Sequence, residues 1–151
     1  MQTFLPHAGL VDSVRCLDRA RLGKQRVEVK QIAIALGVTV GPHVGRPDSG
    51  WRHHPAVRMW RGYEYRLLVY GWFVCWEWRN RGYKDTLRDQ FDDALRLLSW
   101  CDVPPWVGSP EFHARHRSML LAKDPEWYGQ FGWSEEPGLG YIWPVGKEVT
   151  A

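Results

Sequence analysis

The sequence predicts an all-α fold, a compact single domain over residues 1–151 built as a bundle of three to four helices with a long central aromatic helix. Apolar residues recur at intervals of three and four along several stretches, which is the spacing of one face of a helix. Glycine and proline clusters separate these stretches, and Asp, Ser or Thr precedes most of them as a potential N-cap. A chain of this length can bury one hydrophobic core.

The first predicted helix covers residues 12–36, because Asp12 can cap its start and Gly37 can end it. Residues 38–50 are rich in Gly, Pro, Asp and Ser, so we expect a loop there. The second helix, over residues 55–81, is the central one, and its aromatic residues are expected in the core. Its predicted core stripe consists of Ala56, Trp60, Tyr63, Leu67, Tyr70, Val74 and Trp78.

Two further helices and a short turn complete the predicted fold. The third helix covers residues 86–98 behind a potential cap at Asp85, and a serine followed by Pro110 opens the fourth. Residues 124–132 begin with Asp-Pro and end with glycine, which predicts a short helical turn. The tail from residue 134 is rich in Gly and Pro and is expected to be coil.

The composition favours a protein that could bind nucleic acid. Ten tryptophans accompany an arginine-rich set of cations, and such side chains stack on bases and bind phosphates. The three cysteines and six histidines lack metal-ligand spacing, so we expect no metal and no cofactor. No signal peptide or long apolar span is recognisable, and we expect a soluble, cytoplasmic monomer that does not bind membranes.

The most cationic stretch lies in the first predicted helix. At about 100° per residue, four cations fall in one narrow stripe: Arg15, Arg19, Arg26 and Lys30. A stripe of this kind can bind the phosphates of a DNA backbone. The alternative is an ordinary solvated helix face.

A different face of the same helix carries Arg21, Lys24 and Glu28. A carboxylate beside two cations is suited to acid–base chemistry. The alternative is that Lys24 and Glu28, four residues apart, form an ordinary helical ion pair.

Three short motifs occur in the order Leu22-Gly23-Lys24-Gln25-Arg26, Arg81-Gly82-Tyr83-Lys84-Asp85-Thr86 and Pro125-Glu126-Trp127-Tyr128-Gly129-Gln130-Phe131-Gly132. In order and spacing they resemble motifs of the endonuclease V family, the phage pyrimidine-dimer DNA glycosylases. The resemblance covers most of the chain. It implies a single endonuclease V-like, all-α domain and a DNA-repair enzyme that needs no metal.

The resemblance also implies a mechanism. Enzymes of this family use an amine to attack the sugar carbon that bears the damaged base, form a Schiff base and nick the strand by β-elimination. The amine is the N-terminal α-amine, and a glutamate on the first helix assists. In this chain Val27 intervenes between the arginine and Glu28, and the bulky Gln2 favours retention of Met1.

The expected catalytic residues are Met1, Lys24, Glu28 and Arg21; the resemblance implies the N-terminal amine and the glutamate, and the other two lie beside Glu28 on the same helix face. The nucleophile is either the Met1 α-amine or Lys24, and we favour Met1 because α-amines are generally less basic than lysine side chains. Glu28 is the expected carboxylate, and the nearby Arg21 would keep it ionised.

The expected partner is double-stranded DNA, with a base taken out of the stack. The resemblance puts the late aromatic pair near the DNA, and we expect Tyr128 to be the more exposed of the two, whereas Trp127 could instead be a core plug. The expected DNA-binding residues are Arg15, Arg19, Arg26, Lys30, Arg117, Trp127 and Tyr128.

The leading hypothesis is therefore a base-excision DNA glycosylase with abasic-site (AP) lyase activity on a damaged or modified pyrimidine. One alternative is a DNA-binding protein on the same fold that has lost its chemistry, which the displaced Glu28 and the bulky Gln2 would permit. Another is a phage protein-interaction module that uses exposed tryptophans.

Overall fold

The computed structural model describes residues 1–147, which fold into helices and loops without a β-strand. The all-α prediction is confirmed. Four helices have 11 or more residues, as the predicted bundle requires, and three short helices add to them. The α-helices are α1 (Leu10–Arg15), α2 (Arg19–Ala35), α3 (Pro55–Trp60), α4 (Glu64–Asn80), α5 (Leu87–Leu97), α6 (Pro110–Lys123) and α7 (Pro125–Tyr128), and 3-10 turns cover Gly50–His53 and Gly129–Phe131.

The two longest helices, α2 and α4, pack against each other, and α5 also packs on α4. Gly71 of α4 lies where the three helices meet. A Cβ atom at this position would lie 2.6 Å from the side chain of Val29 on α2 and 2.9 Å from that of Phe91 on α5. Only glycine allows the helices to approach this closely.

The predicted first helix is two helices, because the chain leaves the helical path between α1 and α2. Asp18 has extended backbone angles, and its carboxylate accepts the backbone N–H of Arg21 at 3.4 Å, which caps α2. The prediction of one helix starting at Asp12 is therefore wrong. As a consequence Arg15 lies on α1 and is not part of a stripe along α2.

The predicted central helix is also two helices, α3 and α4. Gly62 lies between them with a φ of +86°, which other residues adopt only with strain. The single helix over residues 55–81 is therefore wrong at this point. The long aromatic helix is α4, and its Leu67, Tyr70 and Val74 are buried as predicted.

The remaining elements follow the predicted order. Asp85 caps α5 by accepting the backbone N–H groups of Leu87 at 3.2 Å and Arg88 at 2.9 Å. The predicted loop covers residues 38–49, Gly50 begins the first 3-10 turn, and a proline opens both α6 and α7. None of the helices within residues 1–147 has the length and apolar character needed to cross a membrane.

Candidate active site

A cavity of about 260 Å³ opens between the N-terminus and α2. Arg21, Lys24 and Glu28 of α2 line it together, as their spacing predicted, and Met1 reaches it from the chain terminus. The structure thus brings the four predicted catalytic residues into one pocket. Five further residues complete the lining: Gln2, Phe4, Gln25, Lys123 and Tyr141.

Glu28 provides the carboxylate of the pocket and is only 7% exposed. Its Oε2 accepts hydrogen bonds from Gln25 Nε2 at 2.8 Å and from the backbone N–H of Gln2 at 3.4 Å. Its Oε1 lies 3.8 Å from Lys24 Nζ. Glu28 lines the pocket although Val27 separates it from Arg26 in the sequence, and Val27 itself faces outward at 40% exposure. A carboxylate fixed through one oxygen, with the other beside a cation, is placed to transfer protons.

The backbone that follows Met1 runs through the protein interior and is bonded by side chains of both long helices. Gln25 of α2 donates from Nε2 to the carbonyl of Gln2 at 2.7 Å and accepts the N–H of Phe4 on Oε1 at 3.0 Å. The hydroxyl of Tyr70 on α4 lies 2.8 Å from the Phe4 carbonyl and 2.8 Å from Gln25 Oε1. These bonds fix the residues next to the α-amine.

Two histidines of α6 bind the backbone N–H and the backbone carbonyl of Leu5. His116 accepts the Leu5 N–H on Nδ1 at 3.0 Å. His113 accepts the N–H of Gly108 on Nε2 at 2.9 Å, so its neutral ring carries the proton on Nδ1 and donates it to the Leu5 carbonyl at 2.7 Å. We call the set that holds the N-terminal backbone the N-terminal clamp: Gln25, Tyr70, His113 and His116.

Acidification should loosen this clamp, because His116 must stay neutral to accept a hydrogen bond on Nδ1. Burial lowers the pKa of His116 from 6.5 to about 3. At a pH between these two pKa values the unfolded chain binds a proton on His116 that the folded chain does not. The stability that neutral His116 contributes is therefore complete above the unfolded-state pKa of 6.5, and it is lost as the pH falls through the folded-state pKa of about 3. We expect urea denaturation to show a loss of about 2 kcal/mol from this residue between pH 7 and pH 5.

The control is His116→Asn, whose amide oxygen can accept the same N–H but does not titrate. This variant should lose the part of the pH dependence that His116 contributes between pH 7 and pH 5, about 2 kcal/mol, whereas His53→Asn, at an exposed histidine, should keep it. An unchanged pH dependence in His116→Asn would contradict the assignment.

A cationic groove lies at the N-terminal end of α2. The guanidinium of Arg19 lies 4.8 Å from the ring centre of Tyr83. Trp127 is 38% exposed, unlike a core plug, and its Nε1 donates to the Cys16 carbonyl at 2.8 Å, which fixes the ring. Cations beside ordered aromatic rings suit a DNA strand. We call this surface the α2 groove; it is lined by Arg15, Arg19, Glu77, Arg81, Tyr83 and Trp127.

Three predicted DNA-binding residues lie outside both the pocket and the α2 groove: Arg26, Lys30 and Arg117. Arg26 forms an ion pair with Asp85, with Nη2 2.6 Å from Oδ1, and the Asp85 side chain is fully buried. Arg117 pairs with Glu135 at 2.6 Å and donates to the Pro6 carbonyl at 2.7 Å. Each of these two arginines is thus paired with a carboxylate of the same chain, which points to a structural role.

The prediction that Tyr128 is more exposed than Trp127 is wrong, because the Tyr128 ring is fully buried. Its hydroxyl donates to the carboxylate of Asp18 and accepts the Asp18 N–H at 3.1 Å. Burial alone would raise the pKa of Asp18, but hydrogen bonds from Tyr128 and Arg21 outweigh it and lower the pKa. Tyr128 therefore cannot stack on a base; it ties α7 to the start of α2 and orients the carboxylate that binds Arg21 at 3.2 Å.

Several functional candidates were absent from the sequence prediction. Arg81 and Tyr83 of the α2 groove stand in the second motif, and Gln25 of the clamp stands in the first, so those motifs carried a signal. Lys123 and Tyr141 enter the pocket from distant parts of the chain, and no local pattern marks them.

The comparisons with known proteins bear on what this pocket does. The family model described as pyrimidine dimer DNA glycosylase matches residues 1–91. The matched range includes all of the pocket residues from α2 and the N-terminal segment, together with α1 to α4. Searches of curated proteins and of solved structures found no match.

Proposed function

Because the chain belongs to the pyrimidine dimer DNA glycosylase family, we propose that it removes a damaged or modified pyrimidine from duplex DNA and then nicks the strand at the abasic site. The observation that carries the proposal is that Met1 and the buried carboxylate of Glu28 line the same pocket, next to a backbone segment held by the N-terminal clamp. An amine next to a fixed backbone segment, in one pocket with a fixed carboxylate, needs little further ordering to act on one sugar.

In the proposed reaction the amine nitrogen attacks C1′ of the deoxyribose, and the glycosidic bond breaks so that the base leaves with its electron pair. The amine loses a proton and the sugar ring opens at O4′, which leaves a Schiff base between nitrogen and C1′. Removal of a proton from C2′ then expels the 3′ phosphate by β-elimination. Glu28 would take the proton of the amine and supply a proton to O4′.

We assign the nucleophile to the α-amine of Met1. Met1 is partly buried and directly precedes the clamped backbone, whereas the Lys24 side chain is 75% exposed and would lose more rotamer freedom in the reaction. Lys24, Arg21 and Lys123 instead surround the pocket with positive charge. They are suited to hold the phosphates on either side of the reacting sugar.

Apart from Lys30, which lines neither the pocket nor the α2 groove, the remaining predicted DNA contacts divide into two groups. Arg15, Arg19 and Trp127 line the α2 groove and would hold the strand that leads to the pocket, with Trp127 as a stacking surface. Arg26 and Arg117, paired with the carboxylates of Asp85 and Glu135, would support the fold beneath this surface. The proposed partner is therefore double-stranded DNA bound along α2.

Borohydride reduction tests both the activity and the nucleophile. We expect it to trap a covalent adduct on duplexes that carry a cyclobutane dimer or an abasic site, and mass spectrometry of the digested adduct should locate the DNA on the peptide that begins with Met1. Lys24→Gln should still form the adduct, as should the control Lys30→Gln outside the pocket. An adduct on Lys24 would transfer the role to that side chain, and no adduct on any duplex would refute the lyase proposal.

A further inference from the structure

Trp51 is an exposed aromatic residue that the proposed function does not use. It is 54% exposed, and it lies in an ordered 3-10 turn. Its N–H donates to Ser49 Oγ at 3.2 Å, and its carbonyl accepts the N–H of His54 at 2.9 Å. The ring is therefore presented to solvent from a fixed backbone.

A chain of ring contacts connects Trp51 with the pocket. Ring centres are 5.9 Å apart for Trp51 and His54, 6.2 Å for His54 and Trp143, and 5.5 Å for Trp143 and Tyr141, which lines the pocket. Burial and the positive α-amine of Met1 both lower the pKa of His54, as expected if the two groups are close. Trp51 thus lies on the Tyr141 side of the pocket, and His54 and Trp143 stand between it and the pocket lining.

The segment around Trp51 is strongly cationic. Residues 46–61 contain four arginines and a single acidic residue, Asp48. Within residues 1–147 none of the four arginines lies within 4 Å of a carboxylate, in contrast to Arg26 and Arg117. The polar contacts of Arg52 go to backbone carbonyls, which leave its charge uncompensated. The four are Arg46, Arg52, Arg58 and Arg61.

The distance along α2 between this segment and the α2 groove matches the length of a long ligand. The α2 groove adjoins the N-terminal end of α2, and the N–H of Arg46 donates to the carbonyl of Ile34 at its C-terminal end. Between the two ends α2 has 17 residues, about 25 Å, which corresponds to about seven base-pair steps. The pocket lies between them. A single duplex along α2 could therefore contact both ends.

We propose that residues 46–61 form a second DNA-contacting surface, on which Trp51 stacks against a base or sugar of the strand that leaves the pocket while the arginines hold its phosphates. We call residues 46–61 the Trp51 surface. The inference rests on the proposed function, since this surface would bind the same duplex. Aromatic stacking combined with uncompensated cations is a general way to hold nucleic acid without reading its sequence.

The test is fluorescence anisotropy with a duplex that carries a tetrahydrofuran abasic analogue, which the protein cannot cleave. Trp51→Ala should weaken binding about tenfold, and Trp51→Phe should restore most of the affinity. The matched control is Trp100→Ala, because Trp100 is 64% exposed and also lies near an arginine, with Arg66 5.3 Å from its ring. This control should bind like the parent protein. Arg52→Gln should reduce the slope of log affinity against log salt by about one.

The outcomes separate this inference from the proposed function. If Trp51→Ala and Arg52→Gln bind like the parent while Arg19→Ala binds more weakly, the Trp51 surface is refuted and the α2 groove stands. Equal weakening by Trp51→Ala and Trp100→Ala would also refute it. If the parent neither binds the duplex nor forms the borohydride adduct, the proposed function itself fails.

Discussion

Replacing Glu28 with glutamine should slow base release and strand nicking about a thousand-fold in single-turnover assays, within the range expected when a general acid–base group is lost. Glutamine has nearly the same shape, so it can still accept the hydrogen bond from Gln25 that Glu28 Oε2 accepts at 2.8 Å. It cannot take a proton from the amine. It also lacks the negative charge that would stabilise a cationic sugar beside Lys24.

Affinity for the tetrahydrofuran duplex should stay within about threefold of the parent value, a change of less than 1 kcal/mol. Glu126→Gln serves as the control, because this exposed carboxylate of α7 lies outside the pocket and should leave both quantities unchanged. A parent-like rate in Glu28→Gln would remove Glu28 from the mechanism. If the parent protein binds DNA but no substrate is cleaved by either protein, the non-catalytic alternative is correct.

Replacing Asp85 with alanine should lower the free energy of unfolding by about 3–5 kcal/mol, as expected when one partner of a buried ion pair is removed. The side chain of Asp85 is fully buried and accepts bonds from Arg26 at 2.6 Å and from Arg79 at 3.3 Å. It also caps α5 through two backbone N–H groups. Its loss would leave two cations without their buried partner and two donors unsatisfied.

Asp89→Ala is the matched control in urea denaturation. Asp89 lies 3.8 Å from the same Arg79, but it is 76% exposed, so its removal should change stability by less than about 1 kcal/mol. An equally small effect of Asp85→Ala would show that Arg26 does not depend on this pair. Arg26 could then turn toward DNA, as the sequence-based prediction had it.

The pocket was largely predictable because the relevant geometry is local. Arg21, Lys24 and Glu28 share a face through the helical repeat alone, and that repeat holds wherever α2 begins. The place of Met1 in the pocket came from the family resemblance. The helix breaks had local signals too, a potential cap at Asp18 and a glycine at Gly62, but the apolar spacing continues across both and concealed them.

The partners of the cations and of Tyr128 were not predictable, because they are distant in sequence. Arg26 meets Asp85 across 59 residues, and Tyr128 meets Asp18 across 110. No periodic pattern in the sequence predicts such contacts, because they depend on how the helices are placed relative to one another. A charged or hydroxyl-bearing side chain next to a motif therefore says little about whether it faces DNA or the interior.

The clamp on Leu5 has a consequence for the order in which the protein matures during synthesis. The bond between Leu5 and His116 spans 111 residues, so the N-terminus leaves the ribosome long before the helix that holds it exists. Contacts of such high sequence separation form late in folding, after local helices. The N-terminal segment of a nascent chain is thus unplaced, and the proposed site could become competent only once α6 has been made and docked.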